Sequence, residues 1–439
     1  MKYYSTNKNS ALASFKEATI KGQAPDKGLY YPETIPHVDK GLIGNIEELS
    51  NETIAFNVIK PYVGDEIEEK ELLRIVSETV NFPIPLVKVN DQISSLELFH
   101  GPTLAFKDIG ARFMSRCLGY FIGRDAESGL HNKTKVTVLV ATSGDTGGAV
   151  ANGFYNVPGV DVVILYPSGK VSPVQEKQLT TLGKNITALE VDGTFDDCQQ
   201  MVKQAFTDAN INQKLFLTSA NSINIARWLP QQFYYFFAYK QWADKKNPPV
   251  VCVPSGNFGN ICAGILAKQS GLLIDHFIAA CNANDVVTEY LQTSNFKPQI
   301  AKATLSNAMD VGNPSNFVRI LEIFHHHFPE LKGHISSYSI TDDETLKTIN
   351  SVFKEFNYTL DPHGAVGYLA LKKYLIDHPN KKGLFLETAH PVKFPDAVEK
   401  MTGIKLEIPA AIRSIMSAEK RSIQMNPDFN DLKEYLLTK

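Results

Sequence analysis

The sequence predicts an α/β protein of more than one lobe, with mostly parallel sheets covered by helices on both faces. Three observations carry the prediction. The chain has 439 residues, more than one hydrophobic core usually holds. From about residue 133, short apolar runs alternate with stretches at helical spacing. Turns containing glycine join several strands to the helices that follow them.

The elements follow in chain order. Residues 1–88 read as a separate N-terminal unit; 66–79 (EIEEKELLRIVSET) has amphipathic spacing, and Pro83 and Pro85 then break the pattern. The central region, 89–407, opens on a helix over 109–118. Its smaller lobe, about 133–225, begins with the apolar β-branched strand Val136–Ala141, then SGDTGG and a helix. Strands follow at 160–166 and Ile186–Val191, a helix at 195–209 and a strand at 215–218. A long aromatic helix is expected around 228–242. The remainder forms the larger lobe: a strand at 250–253, the turn SGNFGN, a helix over 261–270, and strands at 277–281 and 383–386. Thr341 and Glu344 form a capping box that opens a helix to about Phe356. Asp361 starts another, with Pro362 in its first turn. The tail, 408–439, is charged and helical in flavour.

Composition excludes several classes. Hydrophobic residues make up 43% and charged residues 21%, which is ordinary globular usage. The net charge of −3 argues against a general nucleic-acid binder but leaves room for a local phosphate site. Five cysteines, Cys117, Cys198, Cys252, Cys262 and Cys281, show no CxxC spacing, so neither a disulfide framework nor a zinc site is expected and a reducing compartment is. The opening MKYYSTNKNSALASFKEA lacks the apolar core of a secretory signal, and no apolar run approaches ~20 residues. A cytoplasmic enzyme without membrane or nucleic-acid partners is the expectation.

Five segments could carry chemistry. Ser255, Gly256, Asn257, Phe258, Gly259 and Asn260 follow a strand and open a helix; free N–H groups at such a start bind phosphate, and the plain alternative is a tight turn. It is not GxGxxG, and no GxxxxGK[ST] occurs. Thr142, Ser143, Gly144, Asp145, Thr146, Gly147 and Gly148 form a second such loop, suited to a carboxylate or serving only as a cap. Lys107 is flanked by apolar residues just before a helix, a setting that favours the neutral amine able to attack a carbonyl, though most lysines are solvated. Asn221, Ser222 and Arg227 could hold a phosphate, or Arg227 could simply pack at a helix start. Thr388, His390 and Lys393 lie just past a strand end, where open α/β sheets place ligand groups. The run His325, His326, His327 invites a metal reading. Consecutive helical residues point apart, however, so a structural or surface role is expected and no metal site.

The segments HGPTLAFKD, TSGDTGGAVA, NSINIAR, PSGNFGN, DPHGAVG and TAHPVKF occur in that order, behind an opening with YYSTN, SFKEA and GLYYPETIP. Through them nearly the whole chain resembles the threonine synthase family, within the fold-type II pyridoxal-phosphate enzymes. The resemblance implies two parallel-sheet α/β lobes with pyridoxal 5'-phosphate between them, plus an N-terminal accessory domain. It implies that Lys107, preceded by Phe106, carries the cofactor, and that 255–260 hold its phosphate. Thr388 partners its pyridine nitrogen. Asp145 lies on its phenolic side, where many fold-type II relatives carry Asn. By the same resemblance Thr142, Ser143 and Thr146 serve the substrate carboxylate, and Asn221, Ser222 and Arg227 the substrate phosphate.

The implied reaction is that of a carbon–oxygen lyase acting on phosphates. O-phospho-L-homoserine and water give L-threonine and phosphate by γ-elimination and β-addition. Alternatives are another fold-type II lyase (a serine/threonine dehydratase or a cysteine synthase), a non-catalytic protein that retains the cofactor, and a nicotinamide oxidoreductase. Arg227 with Asn221 speaks against the first, intact Lys107 against the second and the missing GxGxxG against the third.

Overall fold

The structure, a computed structural model, describes residues 1–127 and 135–438. The lobe start expected near 133 therefore lies outside the described residues. The chain divides into two compact units. One holds Met1, 31–106 and 228–407; the other holds 2–30, 107–227 and 408–439. The chain passes from the first unit to the second at Phe106 and Lys107, and returns at Arg227 and Trp228.

The first unit is built on a six-stranded sheet. Its order is Ile335–Ser339, His276–Cys281, Val250–Pro254, Gly383–Glu387, Ile93–Glu97 and Leu86–Lys88. All neighbours are parallel except the last pair. The central strands are buried along their whole length, which is why they read as unbroken apolar runs. Val250, Cys252, Ile278 and Phe385 form a core with Val366, Ala370 and Leu371 of the helix Pro362–Asp377.

The second unit carries a five-stranded, wholly parallel sheet. Its order is Ile423–Met425, Ile186–Val191, Val160–Pro167, Val136–Ala141 and Phe216–Thr218. Leu139, Val163 and Leu189 pack against Cys198, Met201 and Ala205 of the helix Phe195–Thr207. The α/β architecture with two parallel sheets is the one expected from the sequence.

Several elements differ in detail. The aromatic helix around 228–242 is broken into Ile225–Trp228, a 3-10 turn Leu229–Gln232 and Phe233–Gln241, because Pro230 cannot continue a regular helix. The helix expected over 66–79 runs Glu69–Thr79, after a 3-10 turn. The tail is more than helical: Ile423–Met425 adds an edge strand to the second sheet, and Leu432 and Leu436 of the helix Phe429–Thr438 enter its core. The three histidines lie in an exposed turn between Phe317–Ile323 and Phe328–His334, not on a helix. There His326 meets Glu322 and His327 meets Glu330. All five cysteines are buried free thiols.

Candidate active site

In the first unit, the loop 255–260 begins where the strand Val250–Pro254 ends. Ser255 is fixed twice: its N–H donates to the Ala280 carbonyl at 2.8 Å, and its hydroxyl to the Val253 carbonyl at 2.8 Å. Glycine is required at 256, since a Cβ there would lie 2.7 Å from Met309 Cα and 2.9 Å from the Ala308 carbonyl oxygen. The Asn257 side-chain oxygen accepts from the Ser315 N–H and hydroxyl at 3.3 and 3.1 Å, and its carbonyl from the Asn316 N–H at 3.1 Å. Phe258 adopts a left-handed conformation, φ 61°, and packs edge-on against Phe317.

These constraints deliver the chain into the helix Gly259–Gln269, whose first turn no side chain caps. Asn260 accepts at Oδ1 from the hydroxyls of Tyr234 and Tyr235, both at 2.7 Å. That leaves its buried Nδ2 as a donor without a partner among the described residues. Uncapped helix-start amides, an orphaned buried amide and a backbone cradle that a Cβ would fill are a donor set that fits a phosphate group.

Thr388 follows the strand Gly383–Glu387. It is 6% exposed, and its hydroxyl makes no hydrogen bond among the described residues. Its carbonyl accepts from the Phe106 N–H at 2.9 Å, and the His390 N–H donates to the Leu104 carbonyl at 3.1 Å. The backbone leading into Lys107 is thereby pinned to the end of this strand. Burial, and then the neighbouring Asp361 charge, push the Glu387 carboxyl well above the ordinary range. Burial pushes the His390 imidazole down to about 4. That neutral ring caps the turn Pro391–Lys393, accepting from the Val392 N–H at 3.1 Å, and Lys393 is fully buried.

In the second unit, Lys107 opens the helix Lys107–Glu127 and Asp145 opens Asp145–Phe154. Lys107 Nζ stands 3.7 Å from Asp145 Oδ2, so the lysine has a carboxylate beside it, which the sequence reading did not include. Asp145 Oδ1 accepts from Gln175 Nε2 at 2.9 Å. Thr142 is buried with its hydroxyl oxygen turned to its own loop, accepting from the N–H groups of Gly144 at 3.0 Å and Gly147 at 2.8 Å. The half-buried hydroxyls of Ser143 and Thr146 make no hydrogen bond among the described residues.

Arg227 is 4% exposed, and burial pushes its guanidinium down to about 10 against the pull of Asp108. It lies against the first turn of the Lys107 helix: a Cβ on Gly110 would come within 2.5 Å of the Arg227 carbonyl oxygen and 3.1 Å of Nε. Asn221 and Ser222 are half-buried. Asn221 is tied to Arg227 by way of Asn224: the Asn221 carbonyl accepts from the Asn224 N–H at 3.0 Å, and the Asn224 carbonyl from the Arg227 N–H at 3.1 Å.

Sequence reasoning overlooked Gln175 and Glu387. The Ser-Pro-Val-Gln spacing of 172–175 does signal a capping box, but nothing local shows that its amide also reaches Asp145.

Three family models match the chain. "Pyridoxal-phosphate dependent enzyme" covers residues 85–385, "Threonine synthase N terminus" 2–80 and "Threonine synthase, C-terminal" 364–436. The chain is 43% identical over 438 residues to threonine synthase from Escherichia coli K12, covering 100% of this chain and 99% of that one. It is similar to the crystal structure of threonine synthase from Escherichia coli, with a TM-score of 0.91, 42% identity and 100% of both chains covered. It is also similar to a pyridoxal-phosphate-bound threonine synthase from Brucella melitensis, with a TM-score of 0.91, 34% identity, and 99% of this chain and 98% of that one covered. With a phosphate cradle, a lysine at a helix start and full-length likeness at this level, the chain belongs to the threonine synthase family of pyridoxal-phosphate-dependent enzymes.

Proposed function

We propose that the chain converts O-phospho-L-homoserine and water into L-threonine and phosphate, acting in the cytoplasm. The observation that carries the reading is the shared position of Lys107 and Arg227 in the second unit. The first turn of one helix carries the lysine and packs against a buried guanidinium. A reaction at Cα and Cβ that expels phosphate from Cγ needs both a proton-transferring amine and a cation for the phosphate.

In the first unit the amides of 255–260 with Asn260 Nδ2 would hold the cofactor's phosphate and the Thr388 hydroxyl would meet its pyridine nitrogen; in the second, Lys107 would carry its aldehyde carbon. When bound, the cofactor supplies an electron sink for charge developing at Cα and beyond. The Lys107 amine would accept the Cα proton of the substrate and return protons to the reacting carbons. Asp145 stabilises the ammonium so formed. The first-turn amides of Asp145–Phe154, with Ser143 and Thr146, hold the substrate carboxylate; Thr142 keeps that loop in shape. Asn221, Ser222 and Arg227 hold the substrate phosphate and stabilise its charge as it leaves.

Three variants test this reading. Lys107→Ala should lose borohydride-trappable cofactor and turnover. Arg227→Ala should keep normal cofactor content yet lose ~10²–10⁴ in kcat/KM for phosphohomoserine, as expected when a bidentate charge-assisted contact goes. Arg227→Lys should recover only part, because an ammonium lacks the planar fork. A folded, cofactor-loaded Arg227→Ala enzyme with wild-type kcat/KM contradicts the substrate-phosphate role.

A further inference from the structure

We propose that Gln175 is a positioning residue that keeps the Asp145 carboxylate ionised and aimed at Lys107, its amide orientation being fixed by a helix cap. The proposal rests on the reading of Lys107 as the cofactor lysine.

Gln175 is the third residue of the helix Pro173–Thr180 and completes a capping box with Ser172. Its Oε1 accepts from the Ser172 N–H at 3.1 Å, and its own N–H donates to Ser172 Oγ at 3.4 Å. A backbone N–H can only donate, so the oxygen end of the amide is committed to the cap. The nitrogen end is then left to face Asp145, donating to Oδ1 at 2.9 Å. Both side chains are nearly sealed from solvent, at 2% and 5% exposure. A donor that cannot turn into an acceptor stabilises the charged acid and leaves Oδ2 directed at Lys107 Nζ, 3.7 Å away.

The loop is built to admit this amide. Gly144 has φ 133°, and a Cβ there would lie 2.5–2.6 Å from the Gln175 amide atoms. On the neighbouring helices, the charged group beside Asp145 is Lys107, 3.7 Å away. On Gln175's own helix, Glu176 pairs with Lys420 and Lys177 donates to the Ala418 carbonyl. When Lys107 takes up a proton during turnover, the fixed negative charge beside it stabilises the ammonium without reorganisation.

Gln175→Glu separates this role from a merely structural one. A glutamate completes a capping box as well as glutamine does, since a carboxyl oxygen still accepts from the Ser172 N–H. Its second oxygen donates to Asp145 only while protonated, and two carboxyls at this distance share one proton. The variant holoenzyme should keep its Tm within about 2 °C of wild type at acidic pH. Its kcat should be near wild type there and fall ~10–100-fold as pH rises and the shared proton leaves, a limb the wild-type amide cannot produce. The visible absorption of the bound cofactor should titrate over the same range.

Adding Asp145→Asn removes the shared proton, so the new limb should vanish in the double variant. A wild-type pH profile and spectrum in Gln175→Glu overturns the proposal, as does a lowered Tm with an unaltered profile, or a limb that persists in the double variant. Lys107→Ala keeps the underlying reading separate: borohydride-trappable cofactor retained there refutes the lysine assignment whatever Gln175→Glu shows.

Discussion

Thr388 offers the ring nitrogen of the proposed site a neutral hydroxyl, and burial raises the carboxyl of its neighbour Glu387. A hydroxyl partner would not hold the nitrogen firmly protonated, which suits the proposed chemistry from Cα to Cβ and Cγ. Thr388→Asp should shift the visible spectrum of the bound cofactor and lower threonine formation by at least ~10-fold, an effect of charge on proton affinity. An unchanged spectrum and rate would place Thr388 away from the ring. Single residues were legible where a motif carried them: Lys107, the 255–260 loop and Thr388 each stand at the end of a recognisable strand or the start of a helix. Their partners were not. Asp145 reaches Lys107, and Gln175 reaches Asp145, only because the fold brings separate helices together, and no local spacing records that.

At the scale of elements, close approaches decide what a helix tolerates. Gly364 lies near the start of the helix Pro362–Asp377, where alanine would ordinarily stabilise by ~1 kcal/mol. Here a Cβ would sit 1.6 Å from Glu387 Oε2, and Glu387 is fully buried with Oε1 accepting from the Asp361 N–H at 2.7 Å. Gly364→Ala should therefore lower Tm, by about 4–10 °C for an overpacked core site, as calorimetry would show; a raised Tm would contradict the packing described. Elements with strong signals were readable in advance, such as the Thr341–Glu344 capping box and the alternating strands of both sheets. The edge strands Leu86–Lys88 and Ile423–Met425 were not. Three residues are too few to show a strand's alternation, and they become a strand only because a neighbour offers unpaired backbone groups.

At the scale of the whole molecule, the second unit is assembled from three stretches of chain, and the last of them is tied down by charge. Glu190 accepts from Tyr166, Ser168, Ser422 and Lys420 at 2.7–2.9 Å. Burial alone would raise its carboxyl, but these donors outweigh burial and bring it to about 2, against an ordinary 4.5. A carboxyl depressed in the folded state adds stability that is complete above its unfolded value and is lost as pH falls through the folded one. Glu190→Gln should thus lower Tm by about 2–6 °C at pH 7. The gap should close between about 4.5 and about 2. A gap independent of pH would show that the tail is held by packing alone.

Incubating the purified, cofactor-loaded enzyme with O-phospho-L-homoserine, while following L-threonine and inorganic phosphate together, tests the proposed reaction most directly. Both should appear in equal amounts and at the same rate, with serine and threonine turned over far more slowly. Phosphate release without threonine, or a 2-oxo acid and ammonia formed from serine or threonine as the main products, would contradict it.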